Sequence, residues 1–191
     1  MLAFVFVRPF FRIKFIGREK LPKGAYILCA NHTSFFDPVV IGFCIRRRVC
    51  FMAKSEFFTG CGKFVSCFMT LCGVFPVKRN SADKACADRA GKLLKNGKII
   101  GIFPQGKIVR DINSFDPKAG ALLLASRFDV PVIPLSIYHE GRIRLFSKMT
   151  VRVCEPVYAD DSSLKSARKA ALKLKAVMLK GLEGRNEDNR C

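Results

Sequence analysis

The chain has 191 residues, half of them hydrophobic, with 34 Lys+Arg against 15 Asp+Glu and a formal net charge of +19. That length suits one domain with a real core, and that apolar fraction excludes a disordered chain. The charge implies anionic partners, and with a mean hydropathy of +0.17 a membrane surface fits better than bare nucleic acid.

The N-terminal segment 1–14 is apolar and basic, and "MLAFVFV" stops at Arg8-Pro9, too short for a secretory h-region with a cleavage site. With Arg8, Arg12, Lys14 and Arg18 it is expected to touch anionic headgroups. "YILCAN" (26–31) reads as a short buried strand, as do "VCFMAK" (49–54), "KIIGIFP" (98–104), "VPVIPLSIY" (130–138) and "MTVRVC" (149–154). Helical stretches lie between them at roughly 34–46, 55–72, 82–96 and 118–128. The alternation predicts an α/β fold: a mixed, mainly parallel sheet flanked by helices, with ligands beyond the carboxyl ends of the strands. Arg46-Arg47-Arg48 is a second candidate headgroup cluster.

The greasy stretch 55–72 suits either the core or a membrane-contacting acyl-chain groove. The nearest candidate span, 57–77, carries Lys63 and is broken by Gly60, Gly62, Gly73 and Pro76, so the chain is expected to lie on a membrane, not to cross it. The last helix, 163–182, sets Leu164, Ala167, Ala171, Leu174 and Met178 on one stripe and Lys165, Lys169 and Lys173 opposite. Packing on the sheet and lying at a lipid interface both fit that pattern. Nine cysteines, an odd number with no Cys-x-x-Cys, and only two histidines argue against a zinc site; buried reduced thiols are expected. The aromatics are mostly Phe inside apolar runs, which argues against a nucleic-acid stacking platform.

"NHTSFFDP" (31–38) carries the chemistry, and two readings of it stand. Ser34-x-x-Asp37 has capping-box spacing with Pro38 suited to a first turn, so Asp37 would serve only the helix N-terminus. Alternatively His32 sits in the strand–helix loop and Asp37, one turn into the helix, reaches back to the imidazole. A carboxylate on one ring nitrogen fixes the tautomer and leaves the other nitrogen free as a base. No partner is evident for His139, whose expected role is structural.

The motif "NHTSFFD" resembles the His-x-x-x-x-Asp block of the glycerolipid acyltransferases of the 1-acyl-sn-glycerol-3-phosphate type. The blocks that follow come in the family's order: "FMAKSEFF" (51–58), "GVFPVKR" (73–79), "FPQGKIVRD" (103–111), "PKAGALLLA" (117–125) and "VPVIPLSI" (130–137). The resemblance implies one acyltransferase domain over 1–191, with a motif-bearing core at 15–140 and an amphipathic C-terminal helix at 160–184.

It further implies His32 as general base and Asp37 as its orienting partner, with no metal and no cofactor. Lys54, Lys78, Arg79, Gln105, Gly106 and Lys107 would bind substrate, with Arg110 a further candidate cation. The implied partners are acyl carrier protein or coenzyme A as thioester donor, a lysophospholipid acceptor, and an anionic membrane surface at the cytoplasmic face, bound peripherally or monotopically. Nucleic acid is excluded. Two departures bear on the acceptor: Gln105 stands where the family has Glu, and Ile108 where it has Arg. Glycerol 3-phosphate, another lyso-lipid, or a silent lipid-binding role remain alternatives.

Overall fold

The computed structural model describes residues 12–54, 62, 73–77, 84–109, 111, 116–139, 141 and 147–183. Seven strands form its sheet: β1 (Arg12–Ile16), β2 (Tyr26–Ala30), β3 (Val49–Lys54), β4 (Phe75–Val77), β5 (Ile99–Ile102), β6 (Val132–His139) and β7 (Lys148–Val153). Their spatial order is β1-β7-β6-β2-β5-β3-β4. From β6 to β4 every neighbouring pair is parallel. β7 runs antiparallel to β6, and β1 pairs parallel with β7. The four described helices are α1 (Asp37–Ile45), α2 (Lys84–Lys95), α3 (Gly120–Phe128) and α4 (Leu164–Glu183).

Alternation along β2 divides the core in two. Ile27 and Cys29 face α2, α3 and α4, packing with Ala90, Leu94, Leu122, Leu174 and Met178. Tyr26, Leu28 and Ala30 face the other way, against Val40, Ile41, Cys44 and Ile45 of α1. A strand covered on both faces must be apolar at every position, which is why "YILCA" reads as a continuous run. Among the described residues, Cys29, Cys44, Cys50, Cys86 and Cys154 are buried and form no disulfide. Burial disfavours the thiolate and pushes the Cys44 thiol up to about 12.

Three expectations change. Residues 12–14 of the segment expected to contact the membrane belong to a strand on the sheet edge, Arg12–Ile16; residues 1–11 lie outside the described part. Lysine and arginine on an edge strand also discourage further strand pairing. Second, α4 buries Ala167, Ala170, Ala171, Leu174 and Met178 in the protein's own core, so the interfacial reading of its apolar stripe fails. Leu164 of that stripe is exposed. Third, Arg47 of the arginine cluster is a structural clamp: its guanidinium donates to Pro22 O, Gly24 O and Gly97 O at 3.1, 3.0 and 3.1 Å. The 55–72 helix falls outside the described residues apart from Gly62. No helix among the described residues is long and apolar enough to cross a membrane.

Gly101 sits mid-strand because an aromatic ring occupies its side-chain space: a Cβ there would come within 2.4 Å of the Phe51 ring. Alanine is ordinarily no worse than glycine in a strand. Here Gly101→Ala is expected to lower stability by about 1–3 kcal/mol, the usual cost of overpacking, measured as a drop in the urea midpoint. An unchanged or higher midpoint would show that Phe51 has room to move.

Candidate functional site

The loop 31–36 joins the C-terminal end of β2 to α1. β5 and β6 flank β2 and run parallel to it, so their C-terminal ends lie on either side of this loop. Asn31 ties the loop to β6: its Nδ2 donates to Ile137 O at 2.8 Å, and Ile137 N–H donates to its Oδ1 at 2.7 Å. On the β5 side, Val109 N–H donates to His32 O at 2.8 Å, and His32 N–H donates to Gln105 Oε1.

Asp37 is wholly buried, and one of its oxygens serves three donors. Oδ2 accepts from His32 Nδ1 at 2.9 Å, Thr33 N–H at 2.7 Å and Ser34 N–H at 2.8 Å. Ser34 Oγ accepts from Phe36 N–H at 3.2 Å. The capping contacts and the His–Asp contact therefore coexist on a single carboxylate. Because that carboxylate only accepts, the imidazole proton belongs on Nδ1, and the Nε2 lone pair is left bare. The ring is held from its face as well: it stacks on Phe103 at 4.0 Å, and Phe103 stacks on Phe51 at 5.7 Å. The His32 side chain keeps 18% of its surface exposed. A fixed, partly open imidazole with one free nitrogen can accept a proton from a hydroxyl brought to it.

The remaining sequence-selected residues divide sharply. Gln105 is buried, and its amide oxygen holds the His32 backbone; its Nε2 is buried without a partner. It therefore supports the loop. Gly106 adopts φ +71°, a left-handed conformation that favours glycine. What approaches it is Lys118, whose Nζ would lie 3.3 Å from an added Cβ. Lys118 was quoted only as part of the helix block, and nothing in its local sequence marks it out. Lys107 is exposed on the same turn. Lys54 ends β3 on the same sheet edge, its backbone in register with Val77. The Lys54 side chain, Lys78, Arg79 and Arg110 lie outside the described residues.

Two features escaped the sequence. His139 Nε2 lies 3.0 Å from Thr33 Oγ1, and its Nδ1 lies 2.9 Å from Gly141 O, so the second histidine does have partners. Around the mouth, Phe35, Phe36 and Ile108 are 56%, 45% and 47% exposed. The apolar letters of "SFF" were visible; their outward direction was not.

Comparison with known proteins agrees with this layout. The family model for Acyltransferase matches residues 12–138. A 1-acyl-sn-glycerol-3-phosphate acyltransferase of Bacillus subtilis is 29% identical over 171 residues, covering 86% of this chain and 84% of that protein. One from Streptococcus pneumoniae is 33% identical over 122 residues, 62% of this chain and 44% of that one. The crystal structure of the 1-acyl-sn-glycerophosphate acyltransferase PlsC from Thermotoga maritima shares the fold, with a TM-score of 0.67 over 95% of this chain and 75% of that chain at 24% identity. The chain belongs to the Acyltransferase family.

Proposed function

We propose that this acyltransferase moves a fatty acyl group from a thioester of acyl carrier protein or coenzyme A to the free hydroxyl of 1-acyl-glycerol 3-phosphate, giving phosphatidic acid. The observation that carries the reading is the 2.9 Å contact from His32 Nδ1 to an Asp37 oxygen that two backbone amides also hold. His32 Nε2 takes the hydroxyl proton as the substrate oxygen attacks the thioester carbonyl. The tetrahedral adduct collapses by breaking the C–S bond, and the departing sulfur takes the proton from the imidazolium. Ester and free thiol result, and the base is regenerated.

The acceptor class is supported by the names of the relatives and by the chain's cationic balance. Lys54, Lys78, Arg79 and Lys107 are the cations we assign to the phosphate, with Gln105 and Gly106 shaping the turn beside them. Their chemistry suits it: a phosphate needs fixed positive charge. We further propose peripheral binding to an anionic, cytoplasm-facing membrane surface. With the α4 stripe committed to the core, the Phe35, Phe36 and Ile108 rim is the apolar surface that supports this, set in a strongly basic chain.

His32→Ala should lower kcat by roughly 10²–10⁴-fold, the usual contribution of a general base, while the fold persists, because the backbone bonds of residue 32 to Gln105 and Val109 do not need the ring. Ser34→Ala should cost at most about 1 kcal/mol in stability and keep substantial turnover. Thiol release measured beside circular dichroism decides between them; a dead Ser34→Ala with a live His32→Ala would return Asp37 to a capping role alone.

Lysophosphatidic acid should exceed lysophosphatidylcholine in kcat/KM by about tenfold or more, equivalent to roughly 1.4 kcal/mol of phosphate recognition. Preference for the choline lipid would overturn the acceptor assignment.

Phe35→Ser combined with Phe36→Ser should weaken flotation with anionic vesicles, since full burial of each ring is worth about 1.5–3 kcal/mol. The same variant should still acylate a short-chain acceptor dispersed as monomers. Wild-type binding that resists high salt and alkaline carbonate would contradict peripheral attachment.

A further inference from the structure

The chain has two histidines, and both lie on one hydrogen-bonded path. His32 Nδ1–H donates to Asp37 Oδ2 at 2.9 Å, and Thr33 N–H donates to the same oxygen at 2.7 Å. The Thr33 hydroxyl lies 3.0 Å from His139 Nε2, while His139 Nδ1 faces Gly141 O at 2.9 Å. A backbone carbonyl only accepts, so His139 carries its proton on Nδ1. Its Nε2 is then an acceptor, and the Thr33 hydroxyl must donate to it. Each group's role follows from the one before.

We propose that His139 is a positioning residue for the reaction at His32, acting through Thr33. It rests on the reading of His32 as the base. Asn31 and Thr33 both engage β6, through Ile137 and His139 respectively. His32, between them, goes the other way, onto Phe103 beyond β5. His139 itself cannot drift, because its backbone is in register with Met149 of β7. The Thr33 hydroxyl is thus pinned to the sheet, and with it the Thr33 amide that fills part of Asp37 Oδ2. Without that pin the amide swings, Oδ2 is shared differently, and the imidazole loses its defined azimuth.

The path makes the role separable from mere stability. With only two histidines, nitrogen-15 histidine labelling reads both rings directly in the wild-type protein. Both are expected as the tautomer protonated on Nδ1 with a bare Nε2; an Nε2-protonated His139 overturns the proposal. Thr33→Val and His139→Phe should each shift the His32 Nδ1–H resonance. Each should lower kcat about tenfold, the worth of one hydrogen bond, with both KM values nearly unchanged.

The Thr33→Val/His139→Phe double variant should be no slower than either single variant, because both remove the same contact. His139→Gln, which keeps an acceptor for the Thr33 hydroxyl, should recover most of kcat. Additive losses, an unmoved His32 resonance, or no recovery in His139→Gln would each overturn the role. Should the wild type release no thiol with any acceptor, the proposed function fails instead, and the resonance shifts still decide whether His139 positions His32.

Discussion

The site depends on one buried oxygen. Placing a carboxylate out of contact with water is costly unless donors surround it, and Asp37 meets that demand on one side only: Oδ2 accepts from the His32 ring and the amides of Thr33 and Ser34, while Oδ1 is buried without a partner. Two amides three and four residues back can converge on one oxygen only if the chain turns sharply between them and Asp37. The bend of the loop, the start of α1 and the orientation of the imidazole are therefore one interaction seen from three sides. A neutral amide would keep the shape and one acceptor oxygen but give up the charge that strengthens all three bonds.

The sheet decides where that oxygen stands. β2 and β5 are adjacent and parallel, yet the helices that follow them depart to opposite faces: α1 packs with Tyr26 and Leu28, whereas α3 packs with Ile27 and Cys29. Loops leaving a sheet in opposite directions open a crevice between them, the usual ligand position in such folds. The loop 31–36 and the turn after β5 are the two walls. Gln105 and Val109 lace them together at their base through the backbone of His32, which leaves the ring at the opening.

The sequence was legible where the physics is local or repeats with a short period. Strands buried along most of their length, such as β2, β5 and β6, stood out as apolar runs, and β7 stood out by its alternation of buried Met149, Val151 and Val153 with more exposed residues. β1 did not, because "RIKFI" on an edge alternates charge with half-buried residues and resembles a basic tail. β4, three residues long, offers too little pattern to separate from a loop. At the site, the His–Asp spacing was readable, since both ends of the contact lie within six residues, though Asp37 opens α1 and does not lie one turn into it. The Thr33–His139 contact joins residues 106 apart. Nothing in either neighbourhood points to the other; only the register of β6 against β2 brings them together.

The departures in the third block acquire a physical meaning from the same geometry. A carboxylate at position 105 would also accept from the His32 amide, so glutamine preserves the hold on the loop. What differs is the second atom, a buried Nε2 donor without a partner. An orphaned donor of this kind costs about 1–3 kcal/mol, and a carboxylate would instead set negative charge beneath the imidazole. Ile108 removes the family's arginine and sits exposed beside the loop of His32, completing an apolar rim begun by Phe35 and Phe36. Positive charge is not lost from the turn, however: Lys107 is on it and Lys118 lies over Gly106. The isoleucine at 108 adds an exposed apolar side chain, while Lys107 and Lys118 keep cationic character on the same turn.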